Sequence, residues 1–272
     1  MTQQRELPDA PPAGRPAEEG PPEGPSGPGA DRETGRTPAE PARPVPIAHE
    51  LPRHPTREVY DRELREIKDI VLRMGSLVED AIRSAIRALE THDADAATAV
   101  ILQDARINEM QRELIARIAT TIATQQPVAG DLRFLLALDH VAYELERMGD
   151  HAGSVAKQAR KLAPQPPLAQ YVHLPKMGHL AAEQVHGILR AVVDIDVAEA
   201  RAVASGDDEI DSLYHRTFDR VLELMREDPA NVDRGTRLLF AAHYVERIGD
   251  RVTNIAEDIV FLATGEVEDL NP

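Results

Sequence analysis

Residues 138–162 read LDHVAYELERMGDHAGSVAKQARKL, and residues 238–262 read LLFAAHYVERIGDRVTNIAEDIVFL. In both stretches, apolar residues recur at alternating steps of three and four, the spacing of one face of an α-helix. Each has the same short motif near its centre, Glu146-Arg147-Met148-Gly149-Asp150 in the first and Glu246-Arg247-Ile248-Gly249-Asp250 in the second. Two matching helices 100 residues apart indicate that the chain repeats one helical unit.

The helices upstream follow from the same spacing. An apolar stripe predicts a first helix that ends where Thr91-His92-Asp93 interrupts the pattern. A second helix is predicted from about residue 93 to residue 124, since Pro127 cannot continue it. The third helix is predicted to begin near Asp131, which would serve as its N-cap, and to end at residue 162.

After the prolines between residues 164 and 167 the pattern begins again. Met177-Gly178 follows Met74-Gly75 by 103 residues, and Ile210 follows Ile107 by the same distance. Three long helices joined by short turns close as an antiparallel bundle. We therefore predict an all-α chain of two repeated antiparallel three-helix bundles, with six long helices and repeats at residues 56–164 and 165–268.

The first 55 residues have a different composition from the rest. They hold 14 of the 21 prolines and 6 of the 16 glycines, and few large apolar residues. Such a segment cannot bury enough apolar surface to offset the entropy lost on ordering. We predict a disordered tail over residues 1–55.

Charge and composition exclude several classes of function. With 31 basic and 47 acidic residues the formal charge is −16, which disfavours binding to nucleic acid or anionic lipid. The chain has no cysteine, and thus no disulfide, zinc-thiolate site or catalytic thiol. No apolar run is long enough to cross a membrane, and the N-terminus lacks a signal-peptide pattern. We expect a cytoplasmic protein.

The paired acids of the repeated motif are the first candidate functional residues. Glu146 and Asp150 are four residues apart, as are Glu246 and Asp250, so each pair shares a helix face just outside the apolar stripe. Like charges at this spacing destabilise a helix unless a cation or basic group lies between them. A solvated acidic face is the alternative interpretation for any single pair.

The second helix of each repeat contains a matching pair, Asp104 with Asn108 and Asp207 with Asp211. Each repeat could therefore bring two pairs of oxygen ligands together from neighbouring helices. Carboxylate and amide oxygens suit Mg, Mn, Fe or Zn, and the sequence does not choose among these metals. The first site should be the weaker, because Asn108 is uncharged where Asp211 is not. His151 and Asn254 are further candidate ligands.

Signatures of catalysis are missing. The chain has neither a nucleotide-phosphate loop nor a His-Glu-x-x-His motif. Glu183-x-x-His186 matches half of a ferritin-like di-iron signature but occurs once and away from the paired acids, so we interpret it as chance. No base or nucleophile recurs beside the acids, and we expect a protein that is not an enzyme.

Two segments resemble the PhoU family. They are Gln125-Gln126-Pro127-Val128-Ala129-Gly130-Asp131-Leu132-Arg133 with the motif at residues 145–152, and Tyr244 to Glu257 with Thr264-Gly265-Glu266. The resemblance covers about residues 58–268. It implies paired three-helix bundles that bind metal clusters through Glu146, Asp150, Glu246 and Asp250, with Asp104, Asn108, Asp207 and Asp211 as second-helix partners.

The resemblance also implies a function. Members of the family help to repress the phosphate-starvation response by contacting a sensor histidine kinase and the ATPase of the phosphate ABC transporter, and a homodimer is expected. Two alternatives stay open at this point. One is an accessory regulator of a low-affinity phosphate permease, and the other is a carboxylate-bridged metalloenzyme.

Overall fold

The structure, a computed structural model, describes residues 57–168 and 173–270. The predicted disordered tail therefore lies outside the described residues. In the described part every regular element is helical, and the predicted all-α fold of two repeated helical units is confirmed. The α-helices are α1 (Glu58–Thr91), α2 (Ala94–Gln125), α3 (Gly130–Leu162), α4 (Leu174–Asp194), α5 (Val197–Ala204), α6 (Asp207–Glu227) and α7 (Val232–Thr264). None of these helices is long and apolar enough to cross a membrane.

The first turn of each repeat is built in the same way. His92 ends α1 in the left-handed region with φ 54°, and Asp93 caps α2 by accepting hydrogen bonds from Asp95 N and Ala96 N. Ile195 and Asp196 repeat this arrangement between α4 and α5. An extended residue whose carboxylate satisfies free N–H groups is the preferred N-cap, so the same short sequence gives the same turn twice.

The prediction for Asp131 was wrong in detail. The helix α3 begins at Gly130, and Asp131 lies in its first turn instead of capping it. Its Oδ2 accepts a hydrogen bond from Arg57 Nη2 at 2.6 Å. A carboxylate in the first turn is still favourable, because it faces the positive end of the helix dipole.

The second repeat differs from the first in its middle helix. In the first repeat α2 is continuous, whereas the corresponding segment of the second is interrupted at Ser205-Gly206 and forms two helices, α5 and α6. Gly206 N donates to Val203 O, which closes α5 with a tighter turn, and α6 then begins at Asp207. The interruption places Asp207 at a helix N-terminus, while its counterpart Asp104 lies inside a helix.

The two repeats share one hydrophobic core. The helix α1 packs against α2, α3 and α4, and α3 packs along α7. Buried apolar side chains of both repeats form a single contiguous cluster. The α3–α7 contact is the one that concerns function, because these two helices contain the repeated acidic motifs.

A buried carboxylate stabilises the α3–α7 contact. The side chain of Glu144 is only 2% exposed, and its oxygens lie 3.3 Å from Arg251 Nη1 and from Asn254 Nδ2, both on α7. His140 lies 3.3 Å from Glu144 and 2.5 Å from Asp258 Oδ2. Burial raises the pKa of Glu144, but the hydrogen bond from His140 and the charge of Arg251 outweigh it, so the net pKa is lowered.

The His140 contacts predict a pH dependence of stability. Hydrogen bonds to Asp258 and then Glu144 raise the pKa of His140 to about 10. A raised histidine pKa contributes stability that is complete below pH ~6.5 and is lost as the pH rises through the folded-state value. The free energy of unfolding should therefore fall from pH 7 to pH 10 more steeply in the wild type than in His140→Gln. Because the side chain is 45% exposed, we expect a difference of about 1 kcal/mol or less, measured by urea unfolding. Parallel pH profiles would contradict this.

Gly153 offers a stabilising substitution. It is buried inside α3, and a Cβ added there would have no heavy atom within 4 Å. Replacing a mid-helix glycine by alanine gains about 1 kcal/mol, so Gly153→Ala should raise the midpoint of thermal unfolding by about 2–4 °C. Gly149→Ala is the matched control, because its Cβ would lie 2.9 Å from Ile107 Cδ1 and should bring no gain. A destabilised Gly153→Ala protein would show that this space is needed.

Candidate metal centres

The predicted ligands form two groups, one in each repeat. Asp104 and Asn108 of α2 lie beside Glu146 and Asp150 of α3, which we name the first acid cluster. The second acid cluster consists of Asp207 and Asp211 of α6 with Glu246 and Asp250 of α7. In each cluster the carboxylates of one helix raise the pKa of carboxylates on the other, so the acids of the two helices lie near one another.

The first acid cluster is half-buried. Asn108 Nδ2 donates to Asp104 Oδ2 at 3.4 Å, which leaves Asp104 Oδ1 and Asn108 Oδ1 buried with no hydrogen-bond donor in the described structure. Burial raises the pKa of Asp104, and the charge of Asp150 raises it further. The pKa of Glu146 is raised by the same two influences. Two buried acceptor oxygens on adjacent turns cannot hydrogen-bond to each other, whereas one cation can bind both.

The second acid cluster is deeper than the first. Asp207 is 2% exposed, whereas its counterpart Asp104 is partly exposed. Its carboxylate packs directly on the backbone of Gly249, where any Cβ would overlap it. Burial, followed by the charges of Asp211, Asp250 and Glu246, raises the pKa of Asp207 to about 7. The pKa of Glu246 is also raised to about 7, by burial and then by Asp250.

The side chains that pack on the two glycines of the motif account for the difference in depth. In α3 the space above Gly149 is occupied by the Ile107 side chain, whereas in α7 the space above Gly249 is occupied by Asp207. The interruption before Asp207 brings this side chain inward, while continuous α2 keeps Asp104 half-exposed. The repeats therefore contain related clusters that differ in burial and in charge.

The arginines of the motif each contact the acids of their own cluster. Arg147 Nη1 lies 3.5 Å from Asp150 Oδ2, and Arg147 Nε lies 3.6 Å from Glu146 Oε2. Arg247 pairs in the same way with Asp250. Both guanidinium groups are more than one-third exposed, so these ion pairs contribute little to stability and offset only part of the carboxylate repulsion.

The two further candidate ligands are engaged elsewhere. The His151 ring stacks on Tyr244 of α7 with ring centroids 5.9 Å apart, and burial followed by the charges of Arg251 and Arg247 lowers its pKa to about 4. Asn254 donates its amide to Glu144. Both side chains thus belong to the α3–α7 contact in this structure.

The donor set of both clusters fits a hard or borderline cation, because it consists of carboxylate and amide oxygens that repel one another in its absence. Within residues 57–168 and 173–270, no group of three or more His, Cys, Asp or Glu side chains is arranged to hold a metal ion as it stands. Binding would therefore require the carboxylates of the facing helices to turn towards a common centre.

Two buried polar side chains, Glu144 and Gln184, were not among the residues predicted from the sequence. The signal for Glu144 in the sequence was its position directly before Leu145 of the apolar stripe. Gln184 is a buried amide in α4 whose counterpart 103 residues earlier is Ala81. The signal for Gln184 in the sequence was a polar residue at a position where the other repeat has a small apolar one.

Comparison with known proteins gives one consistent result. The PhoU domain family matches residues 71–159 and 174–259. A phosphate-specific transport system accessory protein PhoU homolog of Clostridium acetobutylicum is 37% identical over 217 residues, covering 79% of this chain and 99% of its own. The Aquifex aeolicus homolog is 36% identical and covers 76% of this chain and 93% of its own. The crystal structure of PhoU from Pseudomonas aeruginosa superposes with a TM-score of 0.72 at 32% identity, over 76% of this chain and 100% of its own. The chain belongs to the PhoU family.

Proposed function

We propose that this chain is a non-enzymatic negative regulator of phosphate uptake and of phosphate-starvation signalling. The names of its relatives, phosphate-specific transport system accessory proteins, support a role in the regulation of phosphate transport. The partners we propose are the ATPase of a phosphate ABC transporter and a sensor histidine kinase, both met in the cytoplasm. We also propose a homodimer, which light scattering of the purified protein would test.

The observation that supports the mechanism is the placement of four oxygen-bearing side chains on two neighbouring helices in each repeat. Without a cation, burial and mutual repulsion raise the pKa values of Asp104, Glu146, Asp207, Asp211 and Glu246. A bound Mg, Mn, Fe or Zn ion would add positive charge to that of Arg147 and Arg247, which offset only part of the repulsion. The ligands would be Asp104, Asn108, Glu146 and Asp150 in the first cluster, and Asp207, Asp211, Glu246 and Asp250 in the second.

The ion would act on the relative position of helices. The ligands of the first cluster come from α2 and α3, and those of the second come from α6 and α7. Neutralising the charge of a cluster therefore favours one particular distance between its two helices. The Glu144–Arg251 and Glu144–Asn254 contacts tie α3 to α7, so the two clusters lie on helices that are joined across the repeats. The surface formed by α3 and α7 is the one that we expect a partner to contact.

The proposal is tested by measuring partner binding with and without metal. The purified chain and a Glu246→Ala/Asp250→Ala variant are mixed with the cytoplasmic part of the kinase or with the transporter ATPase, in MnCl₂ and in chelator. We expect wild-type binding to weaken at least tenfold in chelator and the variant to bind weakly in both. Asp219→Asn, an exposed acid on α6, is the control and should bind as the wild type does. Equal binding by all proteins in both buffers would contradict the proposal.

Gene expression in cells tests the proposed role in phosphate-starvation signalling. In phosphate-rich medium, a bacterial strain that lacks this protein should express phosphate-starvation genes. Producing the wild-type protein in that strain should restore repression. We expect the Glu246→Ala/Asp250→Ala variant, produced at equal levels, to fail. Full repression by that variant would show that the second acid cluster is not needed for signalling.

A further inference from the structure

The side chain of Gln184 has no explained role in the fold. It lies on α4 and is 8% exposed, and both of its amide atoms, Oε1 and Nε2, are buried with no hydrogen-bond partner in the described structure. Burying polar atoms without a hydrogen-bond partner is unfavourable, so the amide does more than fill space in the core. Such a residue indicates a ligand or an ordered water that the amide binds.

The amide points at the interruption between α5 and α6. Gln184 Nε2 lies 3.4 Å from the position that a Cβ of Gly206 would occupy, and Gly206 directly precedes Asp207. The amide of Gln184 therefore lies beside the N-terminus of α6, where Asp207 is located. The carboxylate of Asp207 is buried and packs on Gly249 of α7. We name Gln184, the interruption and Asp207 together the polar niche.

The first repeat has neither part of this niche. The counterpart of Gln184 is Ala81, which is 2% exposed and apolar, and α2 is continuous through the residues that correspond to the interruption. A buried amide and a helix interruption therefore occur together in the second repeat and are both missing from the first. This pairing favours a role tied to the second cluster over a role in general packing.

The charges around the niche determine what it can hold. Asp207 belongs to the second acid cluster together with Asp211, Glu246 and Asp250, so the local potential is negative and repels an anion. The groups gathered there are the carboxylate of Asp207 and the amide of Gln184, whose oxygen is buried with no hydrogen-bond partner in the described structure. Hard divalent cations such as Mg²⁺ and Mn²⁺ prefer such oxygen ligands.

We propose that Gln184 is an additional oxygen ligand, directly or through one water, of a hard divalent cation held by the second acid cluster. This inference rests on the proposed metal binding. It goes further because it gives the second site a ligand from a third helix and makes that site deeper than the first. The second site would then draw on α4, α6 and α7, whereas the first draws on α2 and α3 alone.

The test uses Gln184 variants in the full chain with the first acid cluster removed by Glu146→Ala/Asp150→Ala. MnCl₂ is titrated and bound Mn²⁺ is measured by electron paramagnetic resonance, with thermal unfolding before and after Mn²⁺ addition as a second readout. Gln184→Leu should weaken Mn²⁺ binding at least tenfold while the metal-free protein stays folded. Gln184→Glu, which keeps an oxygen in place, should retain or tighten binding. Gln111→Leu, in the first repeat, is the matched control and should not change it.

The outcomes separate the inference from the proposed function. Wild-type Mn²⁺ affinity in Gln184→Leu would overturn the ligand role and leave metal binding by the acids standing. Equal loss in Gln184→Leu and Gln184→Glu would assign Gln184 to packing and would also overturn it. If the background protein with an intact second cluster bound no Mn²⁺, the metal proposal for that cluster and the inference would both be wrong.

Discussion

Arg251→Ala should lower the free energy of unfolding by about 3–5 kcal/mol, because it removes one of the two positive charges that contact the buried carboxylate of Glu144. Glu144 is 2% exposed, and Arg251 Nη1 lies 3.3 Å from its Oε2. The contacts from His140 and Asn254 would remain, and we therefore expect the lower end of this range. Urea unfolding at pH 7 measures the effect.

Two variants show whether the buried charge is the cause. Adding Glu144→Gln to Arg251→Ala should recover most of the lost stability, since removing both members of a buried pair costs less than removing one. Arg147→Ala removes an arginine that is 42% exposed and should change stability by less than about 1 kcal/mol. A double variant as unstable as Arg251→Ala alone would contradict the explanation.

Asp207→Asn should stabilise the metal-free protein at pH 8 by about 2–4 kcal/mol. The folded-state pKa of Asp207 is raised from 3.8 to about 7, so its favourable contribution is complete below pH 3.8 and is lost as the pH rises through about 7. Asparagine keeps the shape of the side chain without the charge. The gain should be small at pH 4 and should reach its full size above pH 7, in chelator-treated protein.

The same substitution should have the opposite effect when metal is present. Divalent cations are expected to stabilise the wild type by compensating the carboxylate charge, and Asp207→Asn should lose most of that gain. Asp208→Asn, at the neighbouring exposed position, is the control and should change stability by less than about 0.5 kcal/mol. An Asp207→Asn protein that is less stable than the wild type at pH 8 without metal would contradict the account.

Periodicity was enough to predict the helices and the repeat. The apolar stripes of α1, α3 and α7 are long, and the repeated motif aligned the two units, so the paired acids could be assigned to neighbouring helices before any coordinates. Local chemistry also predicted the turn at residues 91–93, because Asp93 caps α2 with hydrogen bonds to its own neighbours in sequence.

The features that the sequence analysis missed depend on distant contacts. Glu144 and Arg251 are 107 residues apart, and only the packing of α3 on α7 brings them together. The interruption at Ser205-Gly206 decides the burial of Asp207, yet a single glycine within a helical pattern does not by itself end a helix. The burial of Gln184 depends on the packing of α4 against α5, α6 and α7.

The central claim, that the repeated acids bind metal, is tested most directly by metal content. Wild-type protein, Glu146→Ala/Asp150→Ala, Glu246→Ala/Asp250→Ala and the combined four-residue variant are purified, reloaded with Mg, Mn, Fe or Zn, and measured by elemental mass spectrometry. We expect each two-residue variant to lose the metal of its own cluster and the combined variant to contain none. Equal metal in the wild type and the combined variant, or none in any of them after reloading, would contradict the claim.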